Sequence, residues 1–162
     1  MRIGSLCSGS LGFDLAIQKV FGGRLVWVAD SDRHAAEVLQ IRAPDVPNLG
    51  DITQVDWSTV PAVDVVTAGY PCQPFSVAGL RRGENDPRHL WPYVRDAIRT
   101  LRPRFTVLEN VPGHLKLGFS RVLADLAEDG LHARWVSVRA CDIGAPHRRE
   151  RIFALVTDPS RP

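Results

Sequence analysis

The most informative part of the sequence is Val63-Asp64-Val65-Val66-Thr67-Ala68-Gly69-Tyr70-Pro71-Cys72-Gln73-Pro74-Phe75-Ser76, an apolar run followed by a proline-rich turn. A short apolar run bounded by turn residues is typical of a buried strand. Pro71 and Pro74 fix their own φ angles and restrict the residues before them, so the thiol of Cys72 is held in one direction. A core cysteine is the alternative, because free cysteines often pack as small apolar side chains. Flanking prolines serve no purpose around a core cysteine, and the pattern therefore favours a nucleophile on a loop.

Strands and amphipathic helices alternate on both sides of this stretch. Predicted strands are 3–7, 25–29, a short piece around Leu49, 63–68 and 105–108, and predicted helices are 13–21, 33–41, 90–101 and 119–129. Two final apolar runs, 135–138 and 152–156, have no predicted helix between them and are expected to pair in an antiparallel arrangement. This order predicts an α/β fold with a Rossmann-like, doubly wound, mostly parallel sheet and one antiparallel strand.

Length and composition indicate one globular domain. The 162 residues suffice for a single core, and 44% apolar and 23% charged residues are an ordinary composition. We assign residues 1–157 to this domain and expect residues 158–162 to form a flexible tail. No apolar run reaches the ~18 residues of a membrane span, and the amino terminus lacks the apolar core of a secretory signal, which predicts a cytoplasmic protein without membrane contact. Three separated cysteines predict neither a disulfide framework nor a metal site.

Polar motifs follow the predicted strands, at the edge where ligands of doubly wound sheets bind. They are residues 8–12, Asp30, Asp51, Cys72 and Glu109. Glycines in the first motif allow backbone amides to approach a ligand closely, but the Gly-x-Gly-x-x-Gly spacing of a dinucleotide site is missing. Asp30 is placed to bind ribose hydroxyls or, alternatively, to cap the next helix.

Taken in order, the motifs resemble those of the cytosine-C5 DNA methyltransferases. The matching segments are Ser8-Gly9-Ser10-Leu11-Gly12-Phe13-Asp14, Asp30, Gly50-Asp51-Ile52-Thr53, 69–76, 88–91, Glu109-Asn110-Val111 and 146–153, which together extend over nearly the whole chain. The resemblance implies a class I methyltransferase fold with S-adenosylmethionine as the cofactor. The cofactor-binding residues that it implies are Gly9, Ser10 and Gly12 on the methionine side, Asp30 on the ribose, Asp51 and Ile52 on the adenine, and Ser31, Gly69 and Leu90 around them.

The same resemblance implies four catalytic residues. Cytosine C5 is a poor nucleophile, so the thiolate of Cys72 first adds to C6 of the base. Glu109 holds and protonates N3, while Arg149 and Arg151 stabilise the adduct electrostatically. The substrate is double-stranded DNA with the target cytosine flipped out, because C5 cannot be reached inside a duplex. The implied DNA-binding residues are Gln73, Ser76, Arg81, Arg82 and Arg88.

Several positions depart from the family pattern. Cys7 stands where an aromatic residue is usual, Leu11 replaces a glycine, Ser31 stands where a larger side chain often packs on adenine, and His147 replaces a glutamine. Cys7 and Cys141 are expected to be core residues.

Members of the family usually continue with a target-recognition domain and a final motif, and we expect neither within these residues. A second chain carrying target recognition is therefore a candidate partner. The alternatives are a truncated or inactive subunit that binds DNA or a partner, and an RNA cytosine methyltransferase.

Overall fold

The computed structural model describes residues 1–71 and 90–161. In chain order the elements are β1 (Arg2–Leu6), α1 (Gly12–Phe21), β2 (Arg24–Ala29), α2 (Arg33–Arg42), β3 (Val65–Ala68), α3 (Trp91–Leu101), β4 (Phe105–Asn110), α4 (Gly113–Lys116), α5 (Phe119–Glu128), β5 (His132–Arg139), a 3₁₀ turn (Ala140–Ile143) and β6 (Glu150–Thr157).

The strands in this part of the chain form one six-stranded sheet in the order β2-β1-β3-β4-β6-β5. Strands β1 to β4 are parallel to one another, whereas β6 pairs antiparallel with both β4 and β5. The predicted α/β sheet with one antiparallel strand is therefore confirmed. Because β6 runs in the opposite direction, its first residues lie at the sheet edge where β1 to β4 end.

The short piece around Leu49 is not a strand, and this prediction was wrong. The segment makes one isolated parallel bridge, between Asn48 and Val28 of β2. Pro44 and Pro47 lack the N–H groups that a longer ladder would need, so pairing stops after the bridge. The segment that begins at Val65 is consequently the third strand along the chain.

Helices cover the two faces of the sheet with separate apolar clusters. Successive strand residues point to opposite faces, so Val65 and Val66 of β3 lie in different clusters. One cluster joins α1 to the sheet and contains Ile3, Ile17, Val65 and Val107. The other is larger and includes Val66, Trp91, Val94, Ile98, Val122 and Leu126, through which α3 and α5 pack.

A glycine permits the tight packing of β1 against a buried tryptophan. Trp27 is fully buried, its Nε1 donates a hydrogen bond to the carbonyl of Pro61 at 3.0 Å, and its ring lies 5.7 Å from that of Trp57. A Cβ atom added to Gly4 would lie 2.1 Å from Cζ2 of Trp27. The indole therefore occupies the space that a side chain at position 4 would need.

Two expectations about individual residues are corrected by the structure. Cys141 is exposed in the 3₁₀ turn after β5, because no layer covers that turn, and its assignment to the core was wrong. Cys7 is half-buried and packs against the larger cluster. Asp158, the first residue of the predicted tail, is 3% exposed and pairs with Arg102 at 2.8 Å, so it is anchored to the domain. A flexible tail beyond it remains a prediction.

A buried carboxyl group, that of Asp14, lies in the first turn of α1. Asp14 is 2% exposed and accepts a hydrogen bond from Oγ1 of Thr67, which also lies 3.4 Å from the Gly4 carbonyl. Burial raises the pKa of Asp14 above its ordinary value, against the opposing effect of hydrogen bonds from Thr67 and Ser5. The folded state therefore favours the protonated carboxyl more than the unfolded chain does.

This preference predicts a pH-dependent difference between the parent chain and Asp14→Asn. The stabilisation from a protonated Asp14 is complete below the ordinary aspartate pKa and is lost as the pH rises through the higher pKa of the folded state. Asparagine does not titrate. Urea unfolding of both proteins should therefore show the parent gaining stability relative to Asp14→Asn as the pH is lowered from 7 to 4. A constant difference across that range would contradict the prediction.

Candidate active site

A cavity of about 310 Å³ opens at the carboxyl edge of the parallel strands. Its lining residues are Cys7, Ala29, Asp30, Ser31, Gly50, Asp51, Ile52, Gly69, Pro71 and Leu90. Six of these are residues that we predicted to bind the cofactor. The cavity lies at the ends of β1, β2 and β3, where a doubly wound sheet binds ligands.

Asp30 connects the end of β2 to the loop after β1. One carboxylate oxygen accepts a hydrogen bond from the backbone N–H of Gly9 at 2.8 Å, and the other accepts from the N–H of Asp32 at 2.9 Å. Asp32, not Asp30, caps α2, since its side chain accepts from the N–H of Ala35 at 2.9 Å. The helix-cap alternative for Asp30 is thus wrong, and its carboxylate is free of that role.

The remaining residues of the first motif are on the loop rather than on the cavity wall. The carbonyl of Ser10 accepts a hydrogen bond from Arg42 at 2.6 Å, and Gly12 begins α1. Gly9 and Leu11 both have positive φ angles, of 51° and 66°. Glycine adopts a positive φ angle without strain, whereas leucine does not. Leu11 is 1% exposed, and its packing in the core holds it in this conformation.

Asn48 is a site residue that sequence reasoning missed. Its Oδ1 accepts hydrogen bonds from the backbone N–H groups of Asp30 and Gly50, both at 3.0 Å. Its Nδ2 donates to the carbonyl of Asp30 at 3.1 Å. One side chain therefore fixes the spacing between the two segments that carry Asp30 and Asp51. A turn asparagine is too common for sequence alone to have singled it out.

Glu109 and Arg151 form an ion pair beside the cavity. Nε of Arg151 lies 2.8 Å from Oε1 of Glu109, and the two side chains are 22% and 23% exposed. The pair forms because β6 lies next to β4, with Glu109 opposite Phe153. A Cβ atom added to Gly69 would lie 3.8 Å from Oε2 of Glu109, so the carboxylate is close to the turn that follows β3.

Arg149 is exposed and has no ion-pair partner in the part of the chain that the structure describes. Its backbone carbonyl accepts a hydrogen bond from the N–H of Ala140 at 2.8 Å, which continues the pairing of β5 with β6. The structure thus brings Arg151, but not Arg149, into contact with Glu109.

The turn 69–71, which we call the β3 turn, is tied to the end of β4. Nδ2 of the buried Asn110 donates to the carbonyl of Tyr70 at 3.1 Å, and Oδ1 of Asn110 accepts from the N–H of Val111 at 2.9 Å. The Tyr70 ring also packs 5.7 Å from that of Trp91, where α3 begins. Glu109 and the β3 turn therefore belong to one connected arrangement.

Comparison with known proteins identifies the family of this chain. Residues 1–161 match the family described as C-5 cytosine-specific DNA methylase. The chain belongs to this family. The resemblance found in the sequence is thereby confirmed.

Sequence relatives in the family are bacterial type II enzymes. The type II methyltransferase M.NlaX of Neisseria lactamica is 36% identical over 150 residues, and the type II methyltransferase M.HhaI of Haemophilus parahaemolyticus is 32% identical over 162 residues. These alignments cover 90% and 96% of this chain, but 47% and 48% of the relatives. The chain therefore spans about half the length of the curated relatives it matches. The predicted second chain has no support in these comparisons.

Solved structures agree on the fold. DNMT2 of Spodoptera frugiperda superposes with a TM-score of 0.80 at 24% identity, covering 96% of this chain and 49% of that one. The methyltransferase EhMeth of Entamoeba histolytica gives a TM-score of 0.80 at 18% identity, covering 97% and 52%. The class I methyltransferase fold is thus confirmed.

Six predicted residues lie outside the described residues: Cys72, Gln73, Ser76, Arg81, Arg82 and Arg88. Within residues 1–71 and 90–161, no group of three or more histidine, cysteine, aspartate or glutamate side chains could hold a metal ion. No helix in the same ranges is both long and apolar enough to cross a bilayer.

Cys7 is unsuited to nucleophilic chemistry although it lines the cavity. Burial raises the pKa of its thiol to about 12, and the carboxylates of Asp30 and Asp51 add to this effect. The thiolate is the nucleophilic form of cysteine, so Cys7 is unreactive at neutral pH. This environment agrees with assigning the nucleophile to Cys72.

Proposed function

We propose that this chain carries the catalytic and cofactor-binding parts of a DNA (cytosine-5)-methyltransferase. The observation that supports it most is the Glu109–Arg151 ion pair, which lies against the turn leading into Cys72 and beside the cavity. A carboxyl group and a guanidinium beside the turn that precedes Cys72 in the sequence are groups that addition of a thiolate to cytosine requires.

Cys72 is the proposed nucleophile. Its sulfur forms a bond to C6 of the flipped cytosine, and the electron pair of the C5–C6 double bond moves toward C5 and N3. Glu109 donates a proton to N3 as this charge develops. Carbon C5 is then nucleophilic and would accept the methyl group that S-adenosylmethionine supplies, with S-adenosylhomocysteine as the leaving product. A water molecule removes the C5 proton, the C5–C6 double bond forms again as the thiolate of Cys72 leaves, and N3 returns its proton to Glu109, which leaves 5-methylcytosine.

Arg151 has two roles in this scheme. Its guanidinium orients the carboxylate of Glu109 through the 2.8 Å contact, and its charge stabilises the adduct. Arg149, which is exposed beside it, is proposed to contact the base carbonyl. Gln73, Ser76, Arg81, Arg82 and Arg88 are proposed DNA contacts, because arginine and small polar side chains bind phosphates.

The cavity suits S-adenosylmethionine, which when bound supplies an electrophilic methyl group. Ligand cavities usually measure about 300–1,000 Å³ and combine apolar walls with a few polar groups. Here Ile52 and Leu90 supply apolar surface, and Asp30 and Asp51 supply carboxylates. Asp30 is proposed to accept hydrogen bonds from ribose hydroxyls, and Gly9, Ser10 and Gly12 are proposed to face the methionine part.

The test is transfer of labelled methyl from S-adenosylmethionine to mixed-sequence double-stranded DNA, with unmodified tRNA as a parallel substrate. A preparation made identically from cells without the gene controls for host methyltransferases. Label recovered as 5-methylcytosine in DNA is the expected result. Label in RNA alone would replace DNA with RNA as the substrate, and no label in either would overturn the proposed activity of this chain.

Asn48 provides a specific test of the cofactor site. Asn48→Ala removes three hydrogen bonds that hold Asp30 and Gly50, and each is worth about 0.5–1.5 kcal/mol. If about 1.4 kcal/mol of this is lost from the bound state, the Kd for S-adenosylmethionine rises tenfold. Calorimetric titration measures this change. The matched control is Gln54→Ala, which removes an exposed amide side chain and should bind S-adenosylmethionine as the parent does. Asn110→Ala is unsuitable as a control, because Asn110 contacts the β3 turn beside the cavity.

A further inference from the structure

A buried tyrosine–histidine pair lies under the β3 turn. The hydroxyl of Tyr70 and Nε2 of His114 are 3.1 Å apart, and the two residues are 4% and 2% exposed. Their rings meet edge to face at 5.8 Å. His114 belongs to α4, which follows directly after the Glu109 strand. The pair therefore joins the turn after β3 to the segment after β4.

The hydrogen bonds of His114 define its tautomer. Nδ1 lies 3.0 Å from the carbonyl of Leu117, which can only accept, so Nδ1 carries the proton. In the neutral ring Nε2 is then an acceptor, and the hydroxyl of Tyr70 donates to it. Phenylalanine at position 70 would remove this hydrogen bond.

The same tyrosine is held from two further directions. Its carbonyl accepts from Asn110, and its ring packs against Trp91, whose Nε1 donates to the buried Asp125 at 2.8 Å. Asp125 is in turn paired with Arg95 at 3.1 Å. Tyr70 thus contacts the first residue of α3 and the last residue of the strand that carries Glu109.

We propose that Tyr70 and His114 are positioning residues for the nucleophile. They fix the position of the β3 turn, which leads into Cys72, relative to Glu109. This inference rests on the proposed function. Only Pro71 stands between Tyr70 and Cys72 in the sequence, so the position of Tyr70 restrains the backbone that leads into the proposed nucleophile. A misplacement of 1 Å between reacting groups costs about 10²-fold in rate.

The experiment measures covalent capture by DNA containing 5-fluorocytosine in the presence of S-adenosylmethionine. Fluorine at C5 cannot leave as a cation, so the adduct with Cys72 persists and can be counted on a denaturing gel. Tyr70→Phe and His114→Leu should form the adduct about 10- to 100-fold more slowly than the parent. His114→Gln should remain within about threefold, because its amide can both accept from Tyr70 and donate to Leu117.

Three controls separate positioning from a merely structural role. The chain has two tyrosines, and Tyr93→Phe changes the exposed one, so it should react as the parent does. The Kd for S-adenosylmethionine should stay within twofold of the parent value in every variant. Tyr70→Phe/His114→Leu removes both members of the Tyr70–His114 hydrogen bond and should be as slow as the single variants.

Each outcome decides the proposal. Slow adduct formation with a normal Kd, and recovery in His114→Gln, would establish it. A folded Tyr70→Phe or double variant that reacts at the parental rate would overturn it. So would a parallel fall in adduct rate, cofactor affinity and Tm, because that pattern indicates a structural role alone. Absence of any adduct with the parent chain would overturn the proposed function and this inference together.

Discussion

Cys72→Ala is expected to lower methyl transfer to DNA by a factor on the order of 10⁴ or more, and Glu109→Gln by about 10²- to 10⁴-fold. The larger effect is expected for Cys72→Ala because of the chemical role of each side chain. Alanine cannot form the bond to C6, so C5 never becomes nucleophilic. Glutamine keeps the shape of Glu109 but loses the titratable carboxyl group and its ion pair with Arg151. The rate of labelled methyl transfer at saturating S-adenosylmethionine measures both effects.

The adduct assay described above separates the two variants further. Cys72→Ala should form no adduct with 5-fluorocytosine DNA, and Glu109→Gln should form it slowly. Glu37→Gln is the matched control, because Glu37 is 60% exposed on α2 and remote from the strand ends. Full activity in Cys72→Ala would assign the nucleophile elsewhere, and parental rates in Glu109→Gln would remove Glu109 from the proton transfer.

Gly4→Ala is expected to destabilise the domain by about 3 kcal/mol or more, at the upper end of the range for overpacked cores. The added methyl group would lie 2.1, 2.4 and 2.5 Å from three atoms of the Trp27 ring. The indole cannot move aside easily, because it is fully buried and donates to Pro61. For a domain of this size the loss corresponds to a fall in Tm of roughly 6–12 °C.

Gly113→Ala is the matched control for this substitution. Apart from its chain neighbours and the backbone of its own helix, no atom of the described residues lies within 4 Å of a Cβ added at Gly113, and the φ angle of Gly113 is not positive. Alanine is also favoured over glycine inside a helix by about 1 kcal/mol, so this variant should be as stable as the parent or slightly more stable. Equal urea midpoints for Gly4→Ala and the parent would show that Trp27 can repack.

The fold could be predicted from the sequence because the pattern of apolar residues is most regular in the segments that are most buried. The apolar run before the β3 turn and the stripe on α3 are buried as predicted. The strand predicted around Leu49 was wrong for a different reason. Leu49 packs against the core beside β2, but the nearby prolines limit backbone pairing with β2 to one bridge. The prediction for Cys141 failed because an isolated cysteine beside a strand has the same local sequence pattern in a core as in an exposed turn.

The site could be predicted only where a residue type is tied to a chemical step. Asp30 follows β2 and Glu109 lies near the end of β4, and parallel strands end at one edge, so the proximity of these two residues could be inferred. The roles of Asn48 and His114 depend on which backbone groups lie within hydrogen-bond distance. Those distances arise from loop conformation and from packing between elements far apart in the chain, which no local pattern encodes.

The position of β6 has a consequence for how the protein is made. This strand is the last in the chain, yet it lies inside the sheet, between β4 and β5. At about 5–20 residues per second, a ribosome needs about 1–4 s to add residues 140–157 after β5 has been synthesised. During that interval two strand edges lack their common neighbour, and such edges promote aggregation. Glu109 gains Arg151 only when β6 inserts, so the Glu109–Arg151 ion pair forms in the same step that covers the two unpaired strand edges.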